Sequence, residues 1–133
     1  MRVLDANYLI DYLSGKQATK TYYDNHGGAE ELWILPAPAY AEALVGVGNL
    51  PDGDVEEAIE ALSWGEVYET TEELATEAAR ITEEIGPQGP YLDGVDAIVA
   101  AVGRELGAPV VSADSDLTHK ATKQVVDVEE YRD

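Results

Sequence analysis

Four acidic residues spaced along the chain set the chemistry this sequence can support: Asp5, Glu42, Asp96 and Asp114. Each follows an apolar run or opens an apolar helical pattern. Crowded carboxylates repel one another and resist ionisation unless something neutralises them. An oxygen-only donor set suits a hard divalent cation, Mg2+ or Mn2+. Such an ion acidifies a bound water and stabilises the negative charge of an in-line displacement at phosphorus, which points to phosphodiester hydrolysis. Two more acids stand close by. Asp116, two residues past Asp114, is a candidate fifth ligand, and Asp93, three before Asp96, a secondary one. Taken singly, each acid also reads as a helix cap, a rim residue or a turn former. In a chain with 27 Asp plus Glu, only the conjunction carries weight.

The elements that must position these residues follow from hydrophobic periodicity. Met1–Leu4 reads as a strand ending at Asp5. Ala6–Leu13 reads as a helix with Leu9, Ile10 and Leu13 on one face. A second helix spans Ala18–Asn25, closed by Gly27-Gly28, and Glu31–Leu35 is a short strand stopped by Pro36. Ala39–Val47 and Asp54–Leu62 are helical, the latter with Val55, Ile59 and Leu62 inward. Val67-Tyr68 is a small strand, and Thr71–Ile85 a helix capped by Thr71. Asp93–Leu106 is a strongly apolar helix ended by Gly107. Pro109–Ser112 is a buried strand, Asp114–Lys120 a short turn or helix, and Gln124–Val128 a last strand. Alternation of strand and helix predicts an α/β fold around a parallel sheet. In such sheets function collects beyond the carboxyl ends of the strands. All four acids fall there.

Composition narrows the setting. The 133 residues, 45% of them apolar, suit one globular domain over residues 1–133. The absence of cysteine excludes disulfides, thiolate metal sites and thiol nucleophiles. No apolar run reaches the roughly 20 residues of a membrane span, and no leader pattern opens the chain, so a cytoplasmic location is expected. The formal net charge is −19. The acids are interspersed with apolar positions, which argues against a disordered acidic tail. With few Lys and no Phe, the composition resembles that of proteins from salt-loving archaea, whose dense carboxylates stay hydrated in screened solution. The charge also removes the basic footprint usual for nucleic-acid binding.

The motifs resemble those of PIN domains. Leu4-Asp5-Ala6-Asn7-Tyr8-Leu9-Ile10-Asp11 is similar to the first PIN motif and Ala41-Glu42-Ala43-Leu44 to the second. Asp96-Ala97-Ile98-Val99-Ala100-Ala101 is similar to the third, and Val111-Ser112-Ala113-Asp114-Ser115-Asp116-Leu117 to the fourth. The order and size resemble the VapC toxins of toxin–antitoxin pairs. The resemblance implies a three-layer α/β/α fold with a central parallel sheet of four or five strands. It implies an Mg2+- or Mn2+-dependent endoribonuclease, an RNA substrate, and inhibition by a small VapB-type antitoxin. It assigns Asp5, Glu42, Asp96 and Asp114 to catalysis and metal binding, Asp116 to the metal, and Asn7 and Asp93 to supporting positions. Two positions depart from the pattern: the hydroxyl residue usual after the first aspartate is Ala6, and the aromatic of the fourth motif is Leu117.

Four of the eight basic residues, Lys16, Lys20, Lys120 and Lys123, follow the first and fourth motifs and are candidates for positioning RNA phosphates. A symmetric homodimer is expected, its contact surface drawn from the 54–62 and 71–85 helices with Trp64, Tyr68, Leu74 and Ile81. The alternative function is a catalytically silent PIN-like module that binds RNA or protein. A receiver-type domain fits less well, because Asp5 lacks an adjacent acid. A dehalogenase-type phosphatase would need an acid where Asn7 stands, and a calcium loop at Asp52-Gly53-Asp54 lacks further ligands.

Overall fold

The computed structural model describes residues 1–132. Five short strands form one parallel sheet: β1 (Arg2–Leu4), β2 (Trp33–Pro36), β3 (Glu66–Tyr68), β4 (Val110–Ser112) and β5 (Val128–Glu130). Their spatial order is β3-β2-β1-β4-β5. The helices are α1 (Ala6–Leu13), α2 (Gln17–Asn25), α3 (Ala37–Gly48), α4 (Val55–Ala61), α5 (Glu72–Ile85), α6 (Gly94–Leu106) and α7 (Lys120–Lys123). Right-handed crossovers place α1 to α4 over one face and α5 and α6 over the other, giving three layers. The chain winds outward in both directions from β1. The topological switch point therefore lies between β1 and β4, where Leu4 pairs with Val111.

Local chemistry explains the boundaries. Asp5 caps α1, Asp54 caps α4, Thr71 caps α5 and Asp93 caps α6, each accepting a hydrogen bond from a first-turn backbone amide. α6 stops at Gly107, whose φ of 63° suits glycine. A Cβ at Gly103 would stand 2.6 Å from the Val110 side chain, so this glycine lets α6 lie directly against β4. The core joins both layers through Val3, Leu4, Leu9, Leu35, Val99, Val102 and Val111, none of them exposed.

Three elements differ from expectation. The last strand is Val128–Glu130, not Gln124–Val128. Val125 and Val126 instead close α7, both donating to the Thr122 carbonyl, and Val126 is buried there. In α1 the inward positions are Tyr8, Leu9 and Asp11, and Ile10 is 40% exposed. In α4, Ala58 and Leu62 are buried while Ile59 faces outward. The apolar surface assigned to a dimer contact is mostly used within the chain. Leu74 and Ile81 are buried beside α6, and Trp64 sits edge-on to Tyr12, Tyr23 and Trp33. Among the described residues no helix is long and apolar enough to cross a membrane.

Candidate active site

Asp5 stands where β1 becomes α1. Its amide donates to the Val111 carbonyl of β4, so the sheet itself fixes its position. The side chain is 2% exposed. One carboxylate oxygen accepts from the Ala6 amide at 2.8 Å, and the other accepts from the Ser112 hydroxyl at 2.6 Å. The same Ser112 oxygen accepts from the Asp114 amide at 2.9 Å. Asp114 in turn accepts from the Asp116 and Leu117 amides, both at 3.0 Å. A buried hydroxyl thus ties the first acid to the loop that carries the last, across the switch point.

The sequence alone assigns Ser112 no role. The signal for it was available: side chains alternate along a strand, and Ser112 is a polar residue ending an otherwise apolar buried strand. It supplies to Asp5 the hydroxyl contact that Ala6 cannot. Asn7 closes the loop from the other side, its Oδ1 accepting from the Ala113 amide at 3.3 Å.

Glu42 lies on α3 and is exposed, while Asp96, in the first turn of α6, is partly buried. They join the site electrostatically. Burial pushes the Asp5 carboxyl up to about 6 against the pull of Ser112 and Ala6, and the charges of Asp114 and Glu42 add to the rise. Desolvation, then the charges of Asp5, Asp114, Asp93 and Glu42, push Asp96 up to about 7. Four acids from four elements therefore act on one another. Asp93 is the exposed cap of α6, accepting from the Asp96 amide at 2.8 Å. Asp116 contacts the group through its backbone. Among the described residues, no three His, Cys, Asp or Glu side chains are drawn together tightly enough to enclose an ion as they stand.

The basic candidates divide. Lys120 and Lys123 are on α7, just after the Asp114 loop, and Lys16 precedes α2 near Asp11. Lys20 is elsewhere: it lines a cleft with Tyr12, Tyr23 and Trp64. Trp64 leads into β3, at the opposite edge of the parallel sheet from the acids. His26 stacks on Tyr22 at 3.8 Å and His119 caps α7, so neither imidazole joins the acids.

The family model of the PIN domain matches residues 2–123. The chain belongs to the PIN domain family. PIN domains are nucleases that generally work with divalent metals. No curated protein matches the chain. Solved structures do. A toxin–antitoxin complex from Klebsiella pneumoniae is similar at a TM-score of 0.80 and 17% identity, covering 100% of this chain and 99% of that one. FitAcB from Neisseria gonorrhoeae gives 0.78 and 21%, covering 98% of each. VapBC2 from Rickettsia felis, bound to a promoter DNA fragment, gives 0.79 and 12%, covering 97% of each. At these identities the likeness speaks for the fold. In this PIN domain Asp5 and Asp114 lie at the switch-point edge of the sheet.

Removing the Ser112 hydroxyl should act on the acids and leave the fold. Ser112→Ala is expected to lower divalent-metal affinity by about 10- to 100-fold, the usual cost of losing an outer-shell partner. Calorimetric titration with Mn2+ checks this; an unchanged affinity contradicts the bridging role.

Proposed function

We propose that this PIN domain, read as one domain over residues 1–133, is a metal-dependent endoribonuclease. We read it as the cytoplasmic toxin of a VapBC-type pair. One observation carries the reading: Asp5 and Asp114 are tied through Ser112 at the switch point, with Asp96 and Glu42 close enough to shift its charges. The donor set fits a hard divalent cation, since it is all oxygen and two of its members resist ionisation without a neutralising charge. Asp5, Asp96, Asp114 and Glu42 would hold Mg2+ or Mn2+, with Asp116 at the margin. When bound, the ion would supply an activated water and a counter-charge for the phosphoryl oxygens. The chain's own part is orientation. Ser112 and the Ala6 amide fix both oxygens of Asp5, and the Asp116 and Leu117 amides fix Asp114. Lys16, Lys120 and Lys123 offer positive charge to an RNA backbone that the acidic surface otherwise repels.

The similar structure from Klebsiella pneumoniae is a toxin–antitoxin complex, which supports an antitoxin partner here. An antitoxin arginine reaching Asp5, Glu42, Asp96 and Asp114 would replace the metal's charge with a bidentate fork. We also propose a symmetric homodimer, to be checked by sedimentation in molar salt. The functional reading is tested by incubating the protein with single-stranded RNA in molar KCl, with Mn2+ or with chelator. Cleavage that needs the ion supports it. Binding without cleavage would favour the silent module.

The charge has its own consequence. With −19 on a small domain, self-repulsion opposes compaction at low ionic strength, and at 1 M salt the screening length falls to about 3 Å. The melting temperature should climb steadily as KCl rises into the molar range. A protein equally stable in dilute buffer overturns the high-salt reading and leaves the nuclease reading intact.

A further inference from the structure

Asp11 is a buried carboxylate that the site above does not use, with 7% of the residue exposed. It lies on α1, two turns past Asp5. A single oxygen, Oδ2, accepts from the Tyr131 hydroxyl at 2.6 Å, from Arg132 Nε at 3.0 Å and from Arg132 Nη2. The Tyr131 ring packs edge-on against Tyr8 with centroids 4.8 Å apart. Burial alone would push the Asp11 carboxyl up, but Tyr131 and Arg132 outweigh it and hold it below its ordinary value.

The register shows where this arrangement sits. β4 and β5 are parallel, with Ser112 opposite Glu130. Two residues further on, β4 reaches Asp114 and β5 reaches Arg132. Arg132 therefore leaves the sheet at the edge that carries the acids. Its side chain is 51% exposed, against 10% for Asp11. The other arginines are committed elsewhere. Arg2 pairs with Glu129 and Glu31, Arg104 with Glu77 and Glu84 across α5 and α6, and Arg80 with Glu77.

We infer that Arg132 binds a phosphodiester of the RNA substrate at the rim of the site, aimed there by the buried carboxylate of Asp11. This inference rests on the nuclease reading. Asp11 engages the Nε and Nη2 edge of the guanidinium, and Nη1 makes no contact with it. A planar fork held along one edge presents its other edge in a fixed direction, which suits two phosphate oxygens. Holding this segment in place needs no charge: an ion pair whose arginine is half exposed adds little stability. What the pair adds is direction, and it does so where a polyanion must approach a strongly acidic protein. Arg132 is a substrate-positioning residue, and Asp11 acts through it.

The test uses the full chain, a single-stranded oligoribonucleotide and Mn2+ over a series of KCl concentrations. Arg132→Ala is expected to raise KM about tenfold, the worth of a hydrogen bond to a charged group, with kcat within about twofold. It should also reduce the salt slope of RNA binding by about one, measured by fluorescence anisotropy in an Asp96→Asn background. Arg132→Lys should recover part of the affinity. Asp11→Asn should mimic Arg132→Ala, and the double variant should be no worse than either, as expected for residues acting as a unit. Melting curves separate these effects from unfolding, and Arg132→Gln serves as a second substitution at the exposed position. Wild-type cleavage with an unchanged KM and salt slope in Arg132→Ala overturns the inference and spares the nuclease reading. Arg132-dependent RNA binding without cleavage does the reverse. Neither binding nor cleavage overturns both.

Discussion

Replacing Asp96 by Asn should abolish RNA cleavage and at the same time raise the melting temperature measured without divalent metal. Both effects come from one cause. Desolvation, with Asp5, Asp114, Asp93 and Glu42 nearby, pushes the Asp96 carboxyl up to about 7. Its ionised form is therefore less stable in the folded protein than in the unfolded chain. The sign is that of a raised acid: near and above pH 7 the native state carries a charge it does not favour. Asparagine keeps the shape and removes the charge, so a gain of a few degrees is expected for a domain of this size. Activity should fall by more than about 100-fold, the upper end for loss of a mere outer partner of a metal. A variant that loses activity and also loses stability would mean that Asp96 serves packing rather than a charged site. A variant that retains wild-type turnover would remove Asp96 from the mechanism.

Added Mn2+ or Mg2+ should stabilise the wild-type protein and leave the Asp5→Asn, Asp114→Asn double variant nearly unmoved. An ion that binds only the native state stabilises it by about 2.7 kcal/mol at 100 times its Kd. Here it would also supply a counter-charge to the Asp5 carboxyl, which burial and then the charges of Asp114 and Glu42 push up to about 6. The control matters because the surface is acidic throughout, and any divalent ion screens it. Measuring both proteins at constant high KCl removes that background. Equal shifts in the two would place the ion on the general surface, away from Asp5 and Asp114.

Much of this was legible before the structure. Asp5, Asp96 and Asp114 stand out because each ends an apolar strand or opens an apolar helix, and a parallel sheet gathers such positions at one edge. Thr71, Asp93 and Gly107 were readable as caps because cap chemistry is local. What escaped was non-local. The role of Ser112 depends on Asp5, 107 residues away, and nothing near it in sequence announces that partner. Asp11 reads as a surface residue by type. It is buried because Tyr131 and Arg132, at the other end of the chain, supply its hydrogen bonds. On the same helix Ile10 is 40% exposed. The last strand was misplaced because Val125-Val126 has strand-like composition, yet pairing with β4 falls on Val128–Glu130. There Glu129 finds Arg2 and Tyr22. Leu74 and Ile81 looked like surplus apolar surface only because their partners on α6 were not yet in place.

We propose that Asp5, Asp96 and Asp114, with Glu42 beside them, form one divalent-metal site. The most direct measurement is the anomalous scattering of Mn2+ in crystals grown in molar KCl. A single strong peak, or a close pair, between Asp5, Asp96 and Asp114 is the predicted result. Peaks confined to the surface acids of α4 and α5, with none at the β1–β4 edge, would contradict it.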